Sequence, residues 1–243
     1  MTSNLNPHVS VDCLIFGFNC EALQVLLVER KLTSRKQKTD LKLPGSLVYN
    51  DEDLTEAAHR VLKELTGLNN LYLEQFGVFG APNRISDKMD LDWLSQTTKL
   101  PISRVVTIAY YSLVKLCPNE TENQPKIKGA KWVNINDVRK LPFDHNHILE
   151  QGLQVLRSRM RTEPIGFELL PRRFTLRQLQ TLYEVMYNKP LDNRNFRKKV
   201  GKLEYLVPLN AKQKNVAHKP ARYYKFDKRC FFQTRKEAMS LII

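Results

Sequence analysis

Residues 45–68 read "GSLVYNDEDLTEAAHRVLKELTGL". From Leu54 to Leu65, the residues Ala57, Ala58, Val61, Leu62 and Leu65 recur at three- and four-residue steps. That stripe belongs to a helix with one face on a core. Gly67 supplies its stop, because glycine takes the left-handed closing conformation without steric cost. A loop and helix carrying Glu52, Arg60 and Glu64 has the outline of phosphate chemistry. Two positions where that chemistry needs carboxylates hold Val61 and Leu65.

Upstream, "VDCLIFGF" and "QVLLVER" read as two strands joined by the turn "NCEAL", a hairpin, followed by a basic loop from Arg30 to Pro44. Downstream, "LYLEQFGVFG" and "RVVTIAYYSLVKL" are strands, the second apolar enough to be central, and "AKWVNI" is a shorter one. The excursion "APNRISDKMDLDWLSQTTKLPIS" is long for a loop; such segments are functional or carry a short helix. "DHNHILEQGLQVLRSRMR" reads as a helix capped by Asp144. Strands mixed with two helices give an α+β sandwich.

"TEPIGFELLP" breaks the pattern, and the domain boundary is placed there, giving domains 1–165 and 166–243. Beyond it, Thr175 and Gln178 fit a capping box before a helix whose core face is Leu176, Leu179, Leu182, Tyr183 and Met186. Asp192 is the N-cap of a second helix. Two short strands around a basic loop follow. Helix, tight turn, helix and hairpin is the order of a winged helix-turn-helix.

Charge separates the two parts. Residues 1–170 hold 21 Lys/Arg and 20 Asp/Glu, whereas residues 171–243 hold 18 and 5, so nearly all of the net +14 lies on the last third. A small domain so basic points to nucleic acid. No apolar run approaches the roughly 20 residues of a membrane span, and no secretion signal is visible in "MTSNLNPHVS". Cys13, Cys20, Cys117 and Cys230 form no C-x-x-C pair. They read as free thiols in a reducing cytoplasm.

The stretch at Gly45 resembles the Nudix box, G-x5-E-x7-R-E-U-x-E-E-x-G-U. Ser46 falls on the first glycine. Glu52, Arg60, Leu62, Glu64, Gly67 and Leu68 match, and Val61 and Leu65 replace two glutamates. "FTLRQLQTLYEVM", "PLDNRNFRKKV" and "ARYYKFD" resemble the C-terminal module of the Nudix-related transcriptional regulators, the NrtR family. "YLEQFGVFGAPNR", "RVVTIAYYSLV" and "LPFDHNHILEQGLQVLR" resemble its Nudix half. Within that family, the degenerate box and the long insert look closest to the arabinose-responsive regulators (AraR). The resemblance implies a Nudix α/β/α sandwich followed by a winged helix-turn-helix. It also implies a homodimeric, cytoplasmic repressor that reads a palindromic operator in double-stranded DNA. It would be released by a small effector, L-arabinose, and would serve sugar-utilisation genes.

Valine and leucine offer no oxygen to Mg²⁺, which needs a near-octahedral set of hard ligands. Metal-dependent hydrolysis is therefore expected to be lost, with no catalytic residue, metal or cofactor, and Glu64 is expected to pair with Arg60 at i,i+4. His145 and His147 resemble a metal pair but are expected to be packing residues. Effector candidates are Arg30, Lys42, Arg84, Asp87 and Tyr110. DNA candidates are Thr175, the second-helix residues Asn193, Arg194, Asn195, Arg197 and Lys198, and the wing residues Lys212, Lys214, Lys219 and Arg222. Asn can read adenine and Arg guanine, whereas Lys198 and Lys199 suit phosphates. Phe196 is expected in the core. Three other readings remain: a regulator of NAD metabolism that senses ADP-ribose, an active Nudix pyrophosphohydrolase with a nucleic-acid-tethering tail, and an RNA-binding module. The last is weakened because the tail lacks an aromatic stacking ladder.

Overall fold

A computed structural model of the chain describes residues 4–31, 39–117, 122–214, 216 and 219–233. Residues 32–38 of the expected basic loop lie outside the described residues, and its flanks, Arg30 and Lys31 and Thr39 to Lys42, belong to strands. Two compact units emerge. The first holds residues 1–17, 24–113 and 122–154, and the second 18–23, 114–121 and 155–243.

The first unit is built on a seven-stranded sheet. β1 (Leu5–Phe18) is polar at its start and wholly buried over its last nine residues. β2 (Leu23–Lys31) follows across the expected turn. β3 (Thr39–Lys42) pairs with β2, and β4 (Gly45–Tyr49) pairs with β1. α1 spans Leu54–Thr66. β5 (Glu74–Phe79) is an edge strand. The long excursion carries α2 (Lys88–Thr98). β6 (Val106–Lys115) lies between β1 and β5, and β7 (Ala130–Asn134) pairs with β2. α3 runs from His145 to Thr162.

Helix α1 forms as its stripe predicts, with one change: Ala57, Ala58, Val61 and Leu62 are buried, but Thr66 rather than Leu65 completes the face. Asp53 caps it by accepting from the N–H groups of Thr55 and Glu56, and Glu56 reaches back to the Asp53 N–H. Gly67 closes it at φ 74°, as its position after the stripe requires. Asp144 stands at the expected position directly before α3, its carbonyl accepting from the Ile148 N–H at 3.1 Å, while its carboxylate is bound by Arg84. The thiol expectation fails for two cysteines. Cys20 and Cys117, 97 residues apart, form a disulfide where Leu116 N–H already donates to the Phe18 carbonyl. Nothing in their spacing signals this, since strand pairing alone brings them together.

The second unit contains β8 (Phe174–Thr175), α4 (Leu176–Tyr187), α5 (Asn193–Val200), β9 (Leu206–Lys212), β10 (Arg222–Phe226) and α6 (Lys228–Gln233). The strands make a three-stranded antiparallel sheet in the order β8-β10-β9. The capping box of α4 is present, Thr175 with Gln178, and Leu179, Leu182, Tyr183 and Met186 are buried. Asp192 caps α5 by accepting from the Asn195 N–H at 2.8 Å. Phe167, Tyr205, Phe226 and Phe231 pack as an aromatic cluster beneath the hairpin. This is a winged helix-turn-helix. No helix among the described residues is long and apolar enough to cross a membrane.

Candidate functional site

Charged side chains gather around a small cavity in the first unit, about 50 Å³. Asp12 projects into it from the middle of an otherwise apolar stretch of β1 and is only 5% exposed. Thr107 Oγ1 of β6 donates to its Oδ2 at 2.7 Å. The Leu43 N–H donates to His145 Nδ1 at 3.0 Å. The imidazole proton therefore sits on Nε2, which faces Asp12 Oδ1 at 3.4 Å. Burial alone would raise the Asp12 carboxyl. Attraction to the His145 ring, Arg84 and Lys42 outweighs it and holds Asp12 well below the usual carboxylate range. Gly45 is required beside it, because a Cβ there would stand 1.8 Å from Asp12 Oδ1.

Arg84 and Lys42 are the cations that act on this carboxylate, and Arg30 acts on Lys42 in turn. Arg84 binds Asp144 through two hydrogen bonds, 3.0 and 2.7 Å, and its Nη2 lies 3.8 Å from Asp12. Arg30 is held by Asp40 through Nε and Nη2 and by Asp90 of α2 through Nη1. Its guanidinium lies beside the rings of Trp93 and Phe143. Lys42 differs from both. Its ammonium donates to the carbonyls of Leu43 and Gly45, at 3.1 and 2.7 Å, and among the described residues no carboxylate is in direct contact with it, though Asp12 and Asp40 attract it. Burial pulls its pKa down to about 8.

Of the predicted effector residues, Lys42 and Arg84 line this cavity. Arg30 and Asp87 line a second one of about 220 Å³, and Phe143 belongs to both. Tyr110 lines neither and is buried in β6. Side chains alternate along a strand, so Tyr110 lies on the face opposite Thr107, whose hydroxyl reaches Asp12. Sequence reasoning missed Asp12, Asp90, Trp93, Phe143 and His145 as pocket residues. Only Asp12 had a visible signal, a lone carboxylate inside a buried apolar run.

On α1, Arg60 grips Glu52 through two hydrogen bonds, 2.8 and 2.5 Å, and also reaches Glu64 at 3.3 Å, the expected i,i+4 pair. The Tyr49 N–H donates to Glu52 as well. The Arg60 hydrogen bonds lower the Glu52 pKa, against burial. Val61 is fully buried. Among the described residues, no three of His, Cys, Asp and Glu gather to hold a metal. The donor set on this helix does not fit a divalent ion. His145 is committed to Leu43 and Asp12, and His147 packs edge-on to Phe79.

In the second unit, Asn193, Arg194, Asn195, Arg197 and Lys198 are exposed along α5, while Phe196 and Val200 anchor it. Burying Phe196 contributes roughly 1.5–3 kcal/mol. Lys212, Lys214, Lys219 and Arg222 are exposed on the β9–β10 hairpin, whose residues 215, 217 and 218 lie outside the described residues. Thr175 is the exception among the predicted DNA contacts. It is 2% exposed, and its hydroxyl and N–H are both engaged with Gln178, so it serves as a cap.

Residues 6–152 match the model of the NUDIX domain, and residues 166–226 match that of the NrtR DNA-binding winged helix domain. The chain is 30% identical over 226 residues, 91% of its length and 82% of the relative's, to the "ADPR responsive transcriptional repressor NtrR" of Acinetobacter baylyi. It is 29% identical over 150 residues, 62% of its length and 75% of the relative's, to the "ADP-ribose pyrophosphatase" of Methanocaldococcus jannaschii. The crystal structure of Shewanella oneidensis NrtR complexed with a 27mer DNA superimposes with a TM-score of 0.66 at 25% identity, covering 91% of this chain and 94% of that one.

Proposed function

Because the chain belongs to the NrtR family, a Nudix domain followed by an NrtR winged helix domain, we propose that it is a transcriptional repressor released from its operator by ADP-ribose. The first unit binds the effector and the second binds DNA. The family resemblance supports a homodimer on a palindrome, whose two-fold axis would set the half-sites whole helical turns apart. The arabinose expectation, with its sugar-utilisation genes, finds no support among the relatives. The ADP-ribose alternative, a regulator of NAD metabolism, fits better, because the Acinetobacter relative bears that responsiveness in its name.

The observation that carries the effector class is Lys42. An ammonium has three donors, and here two meet backbone carbonyls beside a cavity while none meets a carboxylate. Asp12 and Asp40 attract this ammonium without touching it, and Asp12 is shared with Arg84 and His145, so the site favours a ligand that brings further negative charge. A neutral pentose does not.

The Nudix unit is read as a sensor without hydrolase activity. Val61 and Leu65 supply no metal ligand, and Glu52 is committed to Arg60. The Methanocaldococcus relative, 29% identical over 150 residues, favours the active pyrophosphohydrolase reading.

A thermal-shift series with ADP-ribose, L-arabinose and other pentoses tests the effector. A ligand bound only by the native state raises the transition by mass action, about 2.7 kcal/mol at a hundredfold excess over Kd. ADP-ribose is expected to raise the midpoint of the chain and L-arabinose to leave it unchanged. The reverse result would restore the pentose reading.

A further inference from the structure

Helix α2 closes the cavity in an uncommon way: its single fully buried residue is a carboxylate, Asp90. An amphipathic helix ordinarily docks through an apolar stripe. Here Asp90 Oδ1 accepts from Arg30 Nη1 at 2.5 Å and Oδ2 accepts from the Phe143 N–H at 2.7 Å. Arg30 is 3% exposed, and its other donors, Nε and Nη2, are occupied by Asp40. One guanidinium edge and one backbone N–H thus make a two-donor cradle, and the chain's own carboxylate fills it. Asp90 and Arg30 line the larger cavity, Lys42 lines the smaller one, and Phe143 is common to both.

We propose that the Arg30 Nη1 edge and the Phe143 N–H form an anion subsite, occupied by Asp90 in the absence of ligand and taken over by a phosphate group of the effector. Three observations converge on this. The cavity beside Lys42, about 50 Å³, falls short of the roughly 300–1,000 Å³ of small-molecule sites. Its neighbour of about 220 Å³, which Asp90 lines, shares Phe143 with it. The exchange also keeps Arg30 paired. Removing one partner of a buried ion pair is strongly unfavourable because it strands the other charge. A phosphate oxygen replaces the carboxylate oxygen, whereas a neutral sugar would leave the guanidinium edge bare. Asp90 then acts as a competitor, and the cost of displacing it lowers the apparent affinity of every ligand that needs the subsite. This rests on the reading of the effector as phosphate-bearing, and it adds where one phosphate sits and what it must displace.

The test compares wild type with Asp90→Asn by calorimetric titration of the full chain with ADP-ribose and, separately, with inorganic pyrophosphate. Asparagine keeps the shape and removes the competing charge. The expected result is about tenfold tighter binding of both ligands, the size of one charge-assisted hydrogen bond. If ADP-ribose binds wild type and variant equally, the effector reading stands and the subsite is overturned. If only pyrophosphate tightens and ADP-ribose binds neither protein, the subsite stands and ADP-ribose is excluded. A second measurement leaves Asp90 in place, should the variant fail to fold. Trp93 lies on α2 beside Arg30, and the chain has two tryptophans. With Trp132→Phe, the emission of Trp93 reports helix α2 alone. Saturation with ADP-ribose or pyrophosphate is expected to change it, and an unchanged spectrum under saturation overturns the proposal.

Discussion

Lys42 sits with its ammonium on the carbonyls of Leu43 and Gly45, and burial lowers its pKa to about 8 from 10.5. The consequence for stability has a definite sign. Below pH 8 the lysine is charged in both folded and unfolded chains, and the penalty for burying it is fully present. Between about 8 and 10.5 the folded chain sheds the proton first, so this residue's contribution rises with pH. Binding runs the other way. An anionic effector favours the charged form, so its affinity should be flat below pH 8 and fall above it, by about tenfold near pH 9. Titration at pH 7 and pH 9 measures this, and an affinity that holds or rises at pH 9 would remove Lys42 from the site. At this scale the sequence revealed only part of the site. Lys42 and Arg84 were legible as polar residues near a Nudix cleft. His145 and Asp90 were not, because their roles depend on partners 102 and 60 residues away, Leu43 and Arg30.

Among the elements, α5 is the one whose role follows from its own residues. Asp192 caps it, Phe196 and Val200 bury one side, and the other side exposes Asn193, Arg194, Arg197 and Lys198. In a helix-turn-helix this second helix enters the major groove. Arg194→Ala and Arg197→Ala should each weaken operator binding by about 1–3 kcal/mol and relax specificity at one base pair. Lys198→Ala should weaken all sequences alike and reduce the salt slope by about one. Fluorescence anisotropy against operator and scrambled DNA separates the two classes. Wild-type affinity in both arginine variants would refute the assignment of this helix. The caps at Thr175 and Asp192 were legible because capping is local: side chain and N–H lie within three residues. The short strands β3, β4 and β8 were not, since strands of two to five residues exist only through their partners. The excursion was recognised by its length, but the carboxylate that docks its helix was hidden in a polar run.

For the whole molecule, the order of two domains and their charge imbalance are legible in the sequence alone, because +13 of the net +14 on the last third reflects a surface. The arabinose expectation finds no support among the relatives reported. A degenerate box bears on metal binding and says little about the effector, and the cations proposed to meet a phosphate lie on other elements: Lys42 on β3, Arg30 on β2 and Arg84 in the excursion. Coupling between effector and DNA further requires that ADP-ribose bind the DNA-competent and DNA-incompetent states with different affinity; tight binding alone shifts nothing. The most direct measurement is the anisotropy of a labelled palindromic operator, selected by the protein itself, titrated with the chain at fixed salt with and without ADP-ribose. The account predicts that saturating ADP-ribose raises the Kd for this operator at least tenfold while L-arabinose leaves it unchanged. An operator affinity indifferent to millimolar ADP-ribose would contradict it.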